Sequence, residues 1–446
     1  MEFSDLKLNK QLLSALEENG YKHPTTIQAR AFSPIMSGRD VVGLAQTGTG
    51  KTLAYLLPII NLWKFTKSPY PQILIVVPTR ELVVQVVEQV ELLTDNINLV
   101  VGGAYGGANI KRQISMLERG LDVLVATPGR LLDLLLKGAL KAVAIKKLVI
   151  DEVDEMLNLG FRTQLRNILN MLPEKRQTLL FSATMEDEVE FLMNEYFKGP
   201  IKIEAAPMGT PLENINQSSY SIPNFYSKVS LLKVLLDQKD IFTKVLVFTA
   251  TKRLADQLAE EILESYEDEF GVIHSNKSQN FRFNVINCFK DGTYRFIIAT
   301  DIVARGIDVS EVSHVINFDT PEVAANYIHR IGRTGRADRK GNSLTFVTEK
   351  DNEHINNIQS LMNYQIPVLE LPDDVELSDV LTEDEMPKVQ MKTIQLKDTV
   401  KKRAVGDAFH EKSAKNQKTN LSRKDRARMR TIKNVAKRKA KKKGRR

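Results

Sequence analysis

The chain has 446 residues, of which 42% are hydrophobic and 26% charged, a composition typical of a globular protein with room for two or three domains. It has no run of about 18 apolar residues and no apolar segment behind its first charges, so neither a membrane span nor a secretory leader is expected. Cys288 is the single cysteine, which excludes an intrachain disulfide and a cysteine-cluster metal site and fits a reducing compartment such as the cytoplasm.

The net charge of +8 is distributed unevenly along the chain. Residues 388–446 contain 23 Lys and Arg against 4 Asp and Glu, a net charge of +19, whereas the rest contains 40 basic and 51 acidic residues, a net charge of −11. A segment this basic and this poor in apolar residues is expected to be disordered and to bind a polyanion, for which nucleic acid is the first candidate. A solubilising or targeting role for this tail remains an alternative.

Short apolar runs recur at helix-length intervals in two sets. The first set is VVGLA (41–45), ILIVV (73–77), VLVA (123–126), KLVI (147–150) and TLLF (178–181). The second set is VLVF (245–248), GVIH (271–274), FIIA (296–299), HVIN (314–317) and SLTFV (343–347). Such runs are typical of strands buried on both faces of a parallel sheet, and the intervals leave room for crossover helices. Each set therefore predicts one α/β domain.

The segment AAPMGTPLENINQ (205–217) separates the two sets and is rich in residues that break helices and strands. We therefore predict a first domain at 1–207, a linker at 208–217 and a second domain at 218–368. Beyond these, the chain becomes acidic in ELPDDVELSDVLTEDE (370–385) and then basic. Residues 369–446 are accordingly predicted to form a disordered tail.

The sequence AQTGTGKT (45–52) directly follows the first predicted strand. Gly48, Thr49 and Gly50 are small or flexible enough for backbone N–H groups to surround a phosphate at a helix N-terminus. Lys51 can then reach the phosphate oxygens, and the Thr52 hydroxyl can face Mg²⁺. The loop, which also includes Gln46 and Thr47, is thus a P-loop, and ATP and Mg²⁺ are the predicted cofactors, although Ala45 stands where the general pattern has its first glycine.

The predicted strand KLVI ends in Asp151, Glu152, Val153 and Asp154. A carboxylate at the tip of a buried parallel strand can hold Mg²⁺ through its water shell, and the next one can orient the attacking water and accept its proton. We assign Asp151 to the metal and Glu152 to the base. A solvated turn is the alternative, but it does not explain three carboxylates in four positions downstream of a P-loop.

The pair DEVD (151–154) and FSAT (181–184) is similar to two motifs of the DEAD-box RNA helicases, and the resemblance covers residues 3–350. It implies two tandem RecA-like domains and an RNA-stimulated ATPase. It also implies that Asp154, Ser182 and Thr184 couple the two lobes. The family usually has Ala where this chain has Val153, a change that removes no functional group and alters packing by about 1–3 kcal/mol at most.

Upstream, Phe3 lies 17 residues before Gly20, and Tyr21 leads into PTTIQ (24–28), which resembles the Q motif of the same family. The resemblance implies that Gln28 binds the adenine edge with help from Thr25, that Phe3 stacks on the base, and that Tyr21 belongs to the same base site. An amide side chain pairs with N6 and N7 of adenine but meets an acceptor at O6 of guanine, so ATP is expected over GTP. For Phe3, a simple role in the core is the alternative.

In the second half, ATDIVARGID (299–308) and YIHRIGRTGR (327–336) resemble the family's motifs V and VI. The latter spaces three arginines at three-residue intervals, which gives permanently charged planar groups for phosphate oxygens. The resemblance implies that Arg333 and Arg336 are arginine fingers, that His329 and Arg330 tie the lobes together, and that Asp308 binds a ribose hydroxyl. A solvated basic helix would not explain the interleaved glycines.

The candidate RNA-binding segments share hydroxyls, glycine N–H groups and arginines. This chemistry suits phosphate and sugar better than base edges, so sequence-independent RNA binding is expected. The residues carried over from the family are Thr79, Arg80, Gly107, Thr127, Arg130, Gln279, Arg282 and Thr300.

Together these patterns predict an ATP-dependent RNA helicase that unwinds duplexes locally or remodels ribonucleoproteins, without long processive travel. An RNA clamp that does not unwind and a DNA helicase are the alternatives; recognition of the 2′-hydroxyl would separate RNA from DNA. The basic tail would suit ribosomal RNA and a role in ribosome assembly in a bacterial cytoplasm. In a eukaryotic host, the same tail could be a nuclear address.

Overall fold

The computed structural model describes residues 1–46, 48–205, 214–301, 312–335 and 340–386. These residues form two seven-stranded, all-parallel sheets. The first sheet contains β1 (Val41–Leu44), β2 (Ile73–Val76), β3 (Val101–Ala104), β4 (Val123–Ala126), β5 (Lys147–Asp151), β6 (Gln177–Ser182) and β7 (Ile201–Glu204), in the order β3-β4-β2-β5-β6-β1-β7. The second contains β8 (Ile215–Ser221), β9 (Val245–Thr249), β10 (Phe270–Ile273), β11 (Phe296–Thr300), β12 (His314–Asn317), β13 (Gly341–Val347) and β14 (Val368–Leu369), in the order β10-β11-β9-β12-β13-β8-β14.

Helices connect and cover the strands of both sheets. Those of the first lobe are α1 (Lys10–Glu18), α2 (Thr26–Met36), α3 (Lys51–Asn61), α4 (Arg80–Thr94), α5 (Ile110–Arg119), α6 (Pro128–Leu136), α7 (Val153–Asn158), α8 (Arg162–Met171) and α9 (Asp187–Tyr196). Those described in the second lobe are α10 (Phe225–Asp237), α11 (Lys252–Tyr266), α12 (Gln279–Lys290), α13 (Ala324–Ile331) and α14 (Asn352–Met362). In the described ranges, none of them combines the length and the apolar composition that a membrane crossing requires.

Each sheet separates two hydrophobic cores. In β2, for example, Ile73 and Ile75 belong to one core, whereas Leu74 and Val76 belong to the other. Successive side chains of a strand point to opposite faces, so a strand covered by helices on both sides needs an uninterrupted apolar run. This confirms the predicted α/β fold and explains why the ten predicted runs all coincide with strands.

Four strands carry no such run and were not predicted. β3 contains two glycines, β7 alternates apolar and charged residues at the sheet edge, and β14 has only two residues. β8 is polar throughout its centre, and its buried Gln217 accepts a hydrogen bond from the Tyr327 hydroxyl at 3.0 Å. Side-chain hydrogen bonds thus replace apolar burial in this strand.

The two predicted boundaries of the second lobe need correction. Ile215–Gln217, assigned to the linker, belong to β8 and pair with β13, while residues 208–213 of that linker lie outside the described residues. Residues 370–386, assigned to the disordered tail, pack on the second lobe and are called the C-terminal strap below. Its Ser378 N–H donates to Ser227 Oγ at 2.9 Å, and Leu371 and Val375 pack against the core. Residues 387–446 lie outside the description.

Candidate nucleotide and RNA site

Most of the predicted site residues follow the carboxyl ends of the parallel strands, the edge at which α/β sheets bind ligands. The P-loop follows β1 and leads into α3. Gly50 precedes this helix in a left-handed conformation, with φ of 86°. A Cβ at this position would collide with the amide of Gln28, so glycine is required both by the turn and by the close approach of another chain segment.

Lys51 is only 6% exposed, and its Nζ makes no hydrogen bond with any of the described residues. A buried ammonium group with no hydrogen-bond partner is unfavourable unless a ligand supplies acceptors. Phosphate oxygens would do so. The P-loop of this chain therefore fits a nucleotide phosphate on its own geometry.

Asp151 ends β5 with both carboxylate oxygens hydrogen-bonded. Oδ2 accepts from the Tyr55 hydroxyl at 3.0 Å, and Oδ1 accepts from the Glu152 N–H at 2.9 Å. Burial raises the pKa of Asp151 to about 6, against the opposing charge of Lys51. Among the described residues, no group of three or more His, Cys, Asp or Glu could hold a metal ion. The predicted pair Thr52 and Asp151 nevertheless fits Mg²⁺, which commonly takes one or two protein ligands together with phosphates and water.

Glu152, the predicted base, has φ of 53° and ψ of 51°. This left-handed conformation is uncommon for a residue with a side chain and carries a strain of about 1–3 kcal/mol. The residue stands between the end of β5 and the start of α7, so the chain changes direction at the predicted catalytic position. Strain of this kind concentrates at active sites, where the surrounding structure maintains it.

Asp154 contacts two of the other predicted coupling residues, Thr184 and His329. Its Oδ2 accepts hydrogen bonds from the Thr184 N–H at 3.0 Å and the Thr184 hydroxyl at 3.1 Å, and lies 3.9 Å from Nε2 of His329 in the second lobe. Burial alone would raise the Asp154 pKa, but the charges of His329 and Lys51 bring the pKa below its usual value. Ser182, at the end of β6, is fully buried.

Arg330, the second residue expected to tie the lobes, makes its hydrogen bonds inside the second lobe. It binds both carboxylate oxygens of Asp301, at 2.5 and 2.9 Å, and also donates to the Asp319 carbonyl at 2.7 Å and to Asn317 Oδ1 at 3.2 Å. Of the two predicted ties, His329 is the one placed at the first lobe. Arg330 instead fixes the strand ends of its own lobe.

Arg333 is buried, with 5% of its surface exposed. The second predicted arginine finger, Arg336, lies outside the described residues, as do Asp308 and Thr47.

The Q motif contacts the P-loop directly. Gln28 Oε1 accepts from the Thr25 N–H at 2.9 Å, and Nε2 donates to the Gly50 carbonyl at 3.1 Å. One N–H and one lone pair of the amide remain for an adenine edge. Phe3 is 4% exposed in the hydrophobic core, which matches its alternative role as a core residue and leaves little ring surface for a base. Tyr21 is 37% exposed.

The RNA candidates of the first lobe are fixed by local contacts. Thr79 and Thr127 precede α4 and α6 as N-cap residues. Gly107 has φ of 80°, and a Cβ there would collide with the Arg80 guanidinium. Arg130 is buried and donates to the Ala108 carbonyl at 3.0 Å. Arg80 and Gly107 therefore lie together.

Two of the three RNA candidates in the second lobe, Gln279 and Arg282, contact Glu81 of the first lobe. Gln279 Nε2 donates to Glu81 Oε1 at 2.9 Å, Arg282 pairs with the same carboxylate, and Arg80 donates to Gln279 Oε1 at 3.3 Å. Glu81 is 4% exposed, so its buried charge is compensated from across the interface. Thr300 is buried at the end of β11.

The sequence interpretation missed three residues of this arrangement. Glu81 directly follows the predicted RNA-binding residue Arg80, and Asp301 lies within ATDIVARGID (299–308), but the sequence did not show the partners of either carboxylate. Tyr55 lies in the apolar run after the P-loop and gave no polar signal of its own.

Comparison with known proteins agrees with the geometry. A family model for the DEAD/DEAH box helicase matches residues 25–192, and a model for the helicase conserved C-terminal domain matches residues 227–338. The ATP-dependent RNA helicase CshA of Limosilactobacillus reuteri is 39% identical over 374 residues, 83% of this chain and 74% of that protein. The ATP-dependent RNA helicase RhlB of Shewanella frigidimarina is 35% identical over 387 residues, 85% of this chain and 88% of that protein.

Among solved structures, Dbp5 of S. cerevisiae bound to RNA and ADP BeF3 superposes with a TM-score of 0.76 at 29% identity, covering 83% of this chain and 96% of Dbp5. The similarity thus spans both lobes. The chain belongs to the DEAD-box family of ATP-dependent RNA helicases, enzymes that bind RNA and hydrolyse ATP in response to it.

Proposed function

We propose that the two lobes form one split ATP site and that ATP turnover there separates RNA strands locally. The observation that carries this proposal is the approach of His329 to Asp154 across the lobes. It brings the motif with the arginines to the lobe with the P-loop. Two half-sites that become complete only on closure would make hydrolysis wait for the ligands that stabilise the closed form.

In this proposal, the first lobe holds the phosphates and activates water. Lys51 binds phosphate oxygens, Thr52 and Asp151 hold the metal ion, and Glu152 orients the attacking water and accepts its proton. Bound Mg²⁺ would neutralise the phosphate charge. The buried Nζ of Lys51, which has no hydrogen-bond partner among the described residues, and the buried carboxylate of Asp151 support these roles.

The second lobe supplies positive charge for the transition state. We assign Arg333 and Arg336 to this role, and Asp308 to the ribose. An arginine finger typically contributes about 10³–10⁵ in rate, so an open molecule would hydrolyse ATP slowly. The remaining hydrogen-bonding capacity of Gln28 would select adenine over guanine.

The RNA path proposed here runs over both lobes at their strand ends. Thr79, Arg80, Gly107, Thr127 and Arg130 would bind one strand from the first lobe, and Gln279, Arg282 and Thr300 from the second. These groups suit phosphate and sugar. Because stacking is worth about 1.4 kcal/mol per base-pair step, one closure can disrupt only a few pairs, and hydrolysis then releases the lobes.

We further propose that residues 388–446 add sequence-independent affinity for RNA through their charge of +19. A long, folded polyanion such as ribosomal RNA is a suitable target. In a bacterial host, that target would place the protein in the cytoplasm and in ribosome assembly.

The test compares ATP turnover with single-stranded RNA and with DNA of the same sequence. RNA should stimulate turnover strongly and DNA weakly, and Glu152→Gln should abolish turnover while ATP-dependent RNA capture persists. Stimulation by DNA alone would refute the RNA assignment. Loss of RNA capture in Glu152→Gln would show that this carboxylate shapes the site rather than activating water.

A further inference from the structure

Tyr55 lies one helical turn beyond the P-loop, on the side of α3 that also carries Thr52. It is fully buried, and its hydroxyl donates a 3.0 Å hydrogen bond to Asp151 Oδ2. The phenol group therefore contacts Asp151 and lies on the helix side that carries Thr52, the two residues that we assign to Mg²⁺.

The hydrogen bond from Tyr55 completes a clamp on the Asp151 carboxylate. Oδ2 is held by Tyr55, and Oδ1 is held by the backbone N–H of Glu152 at 2.9 Å. An ionised carboxylate has about four acceptor positions. Two remain for other partners, while rotation of the group would break one or both existing hydrogen bonds.

The ring of Tyr55 is fixed by aromatic packing. Its centroid lies 5.3 Å from that of Phe181, at an interplanar angle of 53°. Phe181 in turn packs against Gly43, where a Cβ would collide with the Phe181 ring. Phenylalanine at position 55 would fill this space equally well and would bury no hydroxyl, so packing alone does not account for a tyrosine.

We propose that Tyr55 is a positioning residue for the metal half of the site, whose hydroxyl holds Asp151 in the orientation that binds Mg²⁺. The proposal rests on the assignment of Asp151 to Mg²⁺ given above. Partners that orient a metal-binding carboxylate typically contribute about 10–100-fold to metal affinity or activity. Tyr55 would act through Asp151 and would not touch the nucleotide itself.

The experiment titrates Mg²⁺ into the full-length protein with fluorescent AMP-PNP and follows nucleotide binding. Tyr55→Phe should raise the Mg²⁺ concentration for half-maximal binding by about 10-fold or more, while binding at saturating Mg²⁺ approaches the wild-type level. Thermal unfolding without Mg²⁺ measures any purely structural effect.

Tyr266→Phe is the matched control. Tyr266 is 3% exposed, packs on Phe296 with centroids 5.6 Å apart, and donates to Asp237 Oδ1 at 2.6 Å. Tyr266→Phe also removes a buried hydroxyl that donates to an aspartate, but it does so in the second lobe, away from Asp151. The Mg²⁺ titration of this variant should therefore match that of the wild type.

Asp151→Asn tests the assignment of Asp151 to Mg²⁺ independently of the role proposed for Tyr55. If Asp151→Asn loses the Mg²⁺ response but Tyr55→Phe keeps the wild-type titration, Asp151 is the metal residue and the inference about Tyr55 is wrong. If Asp151→Asn itself titrates like the wild type, the metal assignment fails. A lower melting temperature of Tyr55→Phe with an unchanged Mg²⁺ titration would likewise reduce Tyr55 to a packing role.

Discussion

His329 Nε2 lies 3.9 Å from Asp154 Oδ2, and the two residues belong to different lobes. Nδ1 of the same ring lies 3.9 Å from Glu155 Oε2, which is also buried in the first lobe. One imidazole is thus placed at two carboxylates that lie two and three residues after the predicted catalytic base. Asp154 also accepts a hydrogen bond from Thr184, two residues beyond β6, so the contact connects the closing surface to the interior of the ATP site.

The first prediction concerns this contact. His329→Ala should weaken the coupling between ATP and RNA binding, because closure would bury Asp154 and Glu155 without the imidazole. A coupling free energy of about 1–3 kcal/mol corresponds to a 5–150-fold effect, and we expect most of it to be lost. The measurement is ATP affinity with and without single-stranded RNA. His354→Ala, on α14, is the control, and equal coupling in both variants would contradict the prediction.

A second prediction concerns pH. The His314 ring packs on Phe242 with centroids 4.2 Å apart, and burial lowers the pKa of His314 to about 4. The unfolded chain, with an ordinary histidine pKa of about 6.5, takes up the proton first as the pH falls. The free energy of unfolding of the second lobe is therefore undiminished by His314 above pH 6.5. It falls between pH 6.5 and 4, by up to about 3 kcal/mol.

His314→Phe keeps an aromatic ring on Phe242 and removes the titration. Urea denaturation of the second lobe, followed by circular dichroism from pH 7.5 to 4.5, should therefore show a flatter pH dependence in this variant than in the wild type. His354→Asn should retain the wild-type slope. Parallel slopes for wild type and His314→Phe would show that His314 does not titrate in this range on unfolding.

The C-terminal strap gives a third prediction. Glu385 Oε1 accepts a hydrogen bond from the Phe225 N–H at 2.7 Å, and Oε2 accepts from the Thr382 N–H at 2.9 Å. The first bond satisfies a free N–H at the start of α10. Glu385→Ala should therefore destabilise the second lobe by about 1–2 kcal/mol, measured by thermal unfolding of a chain that ends at residue 386.

Glu383→Ala is the matched control on the same strap. The Glu383 carboxylate pairs with Arg253 at 3.0 Å, but its side chain is 83% exposed, and such pairs contribute about 0–1 kcal/mol. A chain ending at residue 368 should unfold at a lower temperature than one ending at 386. Identical unfolding of the two truncated chains would mean that the strap adds no stability.

The strap also shows where sequence patterns stop being informative. Its acidic composition predicted disorder, because composition counts charges and not the partners they meet. Leu371 and Val375 pack on the core, and Glu385 binds the start of a helix some 160 residues earlier. A contact between residues so far apart leaves no local sequence pattern. The apolar runs of the central strands are a local pattern, because helices cover both faces of those strands.

The predicted site shows the same difference between residues that a local pattern reveals and residues that depend on long-range contacts. Lys51, Asp151 and Asp154 could be placed together from the sequence, since the carboxyl ends of parallel strands share one edge. Glu81 and Tyr55 could not, because a carboxylate and a phenol on helices have no spacing that identifies their partners. Their roles depend on tertiary contacts with Arg282 and Asp151.

The last prediction concerns residues 388–446, with their net charge of +19. Each tail cation that meets a phosphate of single-stranded RNA releases counterions, so the logarithm of affinity falls with the logarithm of salt concentration by about 0.7 per contact. If six such contacts form, a chain ending at residue 386 should bind RNA with a salt slope shallower by about 4. ATP turnover at saturating RNA should stay near the full-length value, because the strap and both lobes are retained. Binding of fluorescent single-stranded RNA between 50 and 200 mM salt measures the slope. Equal slopes in the two chains would show that the tail makes no contacts with RNA phosphates.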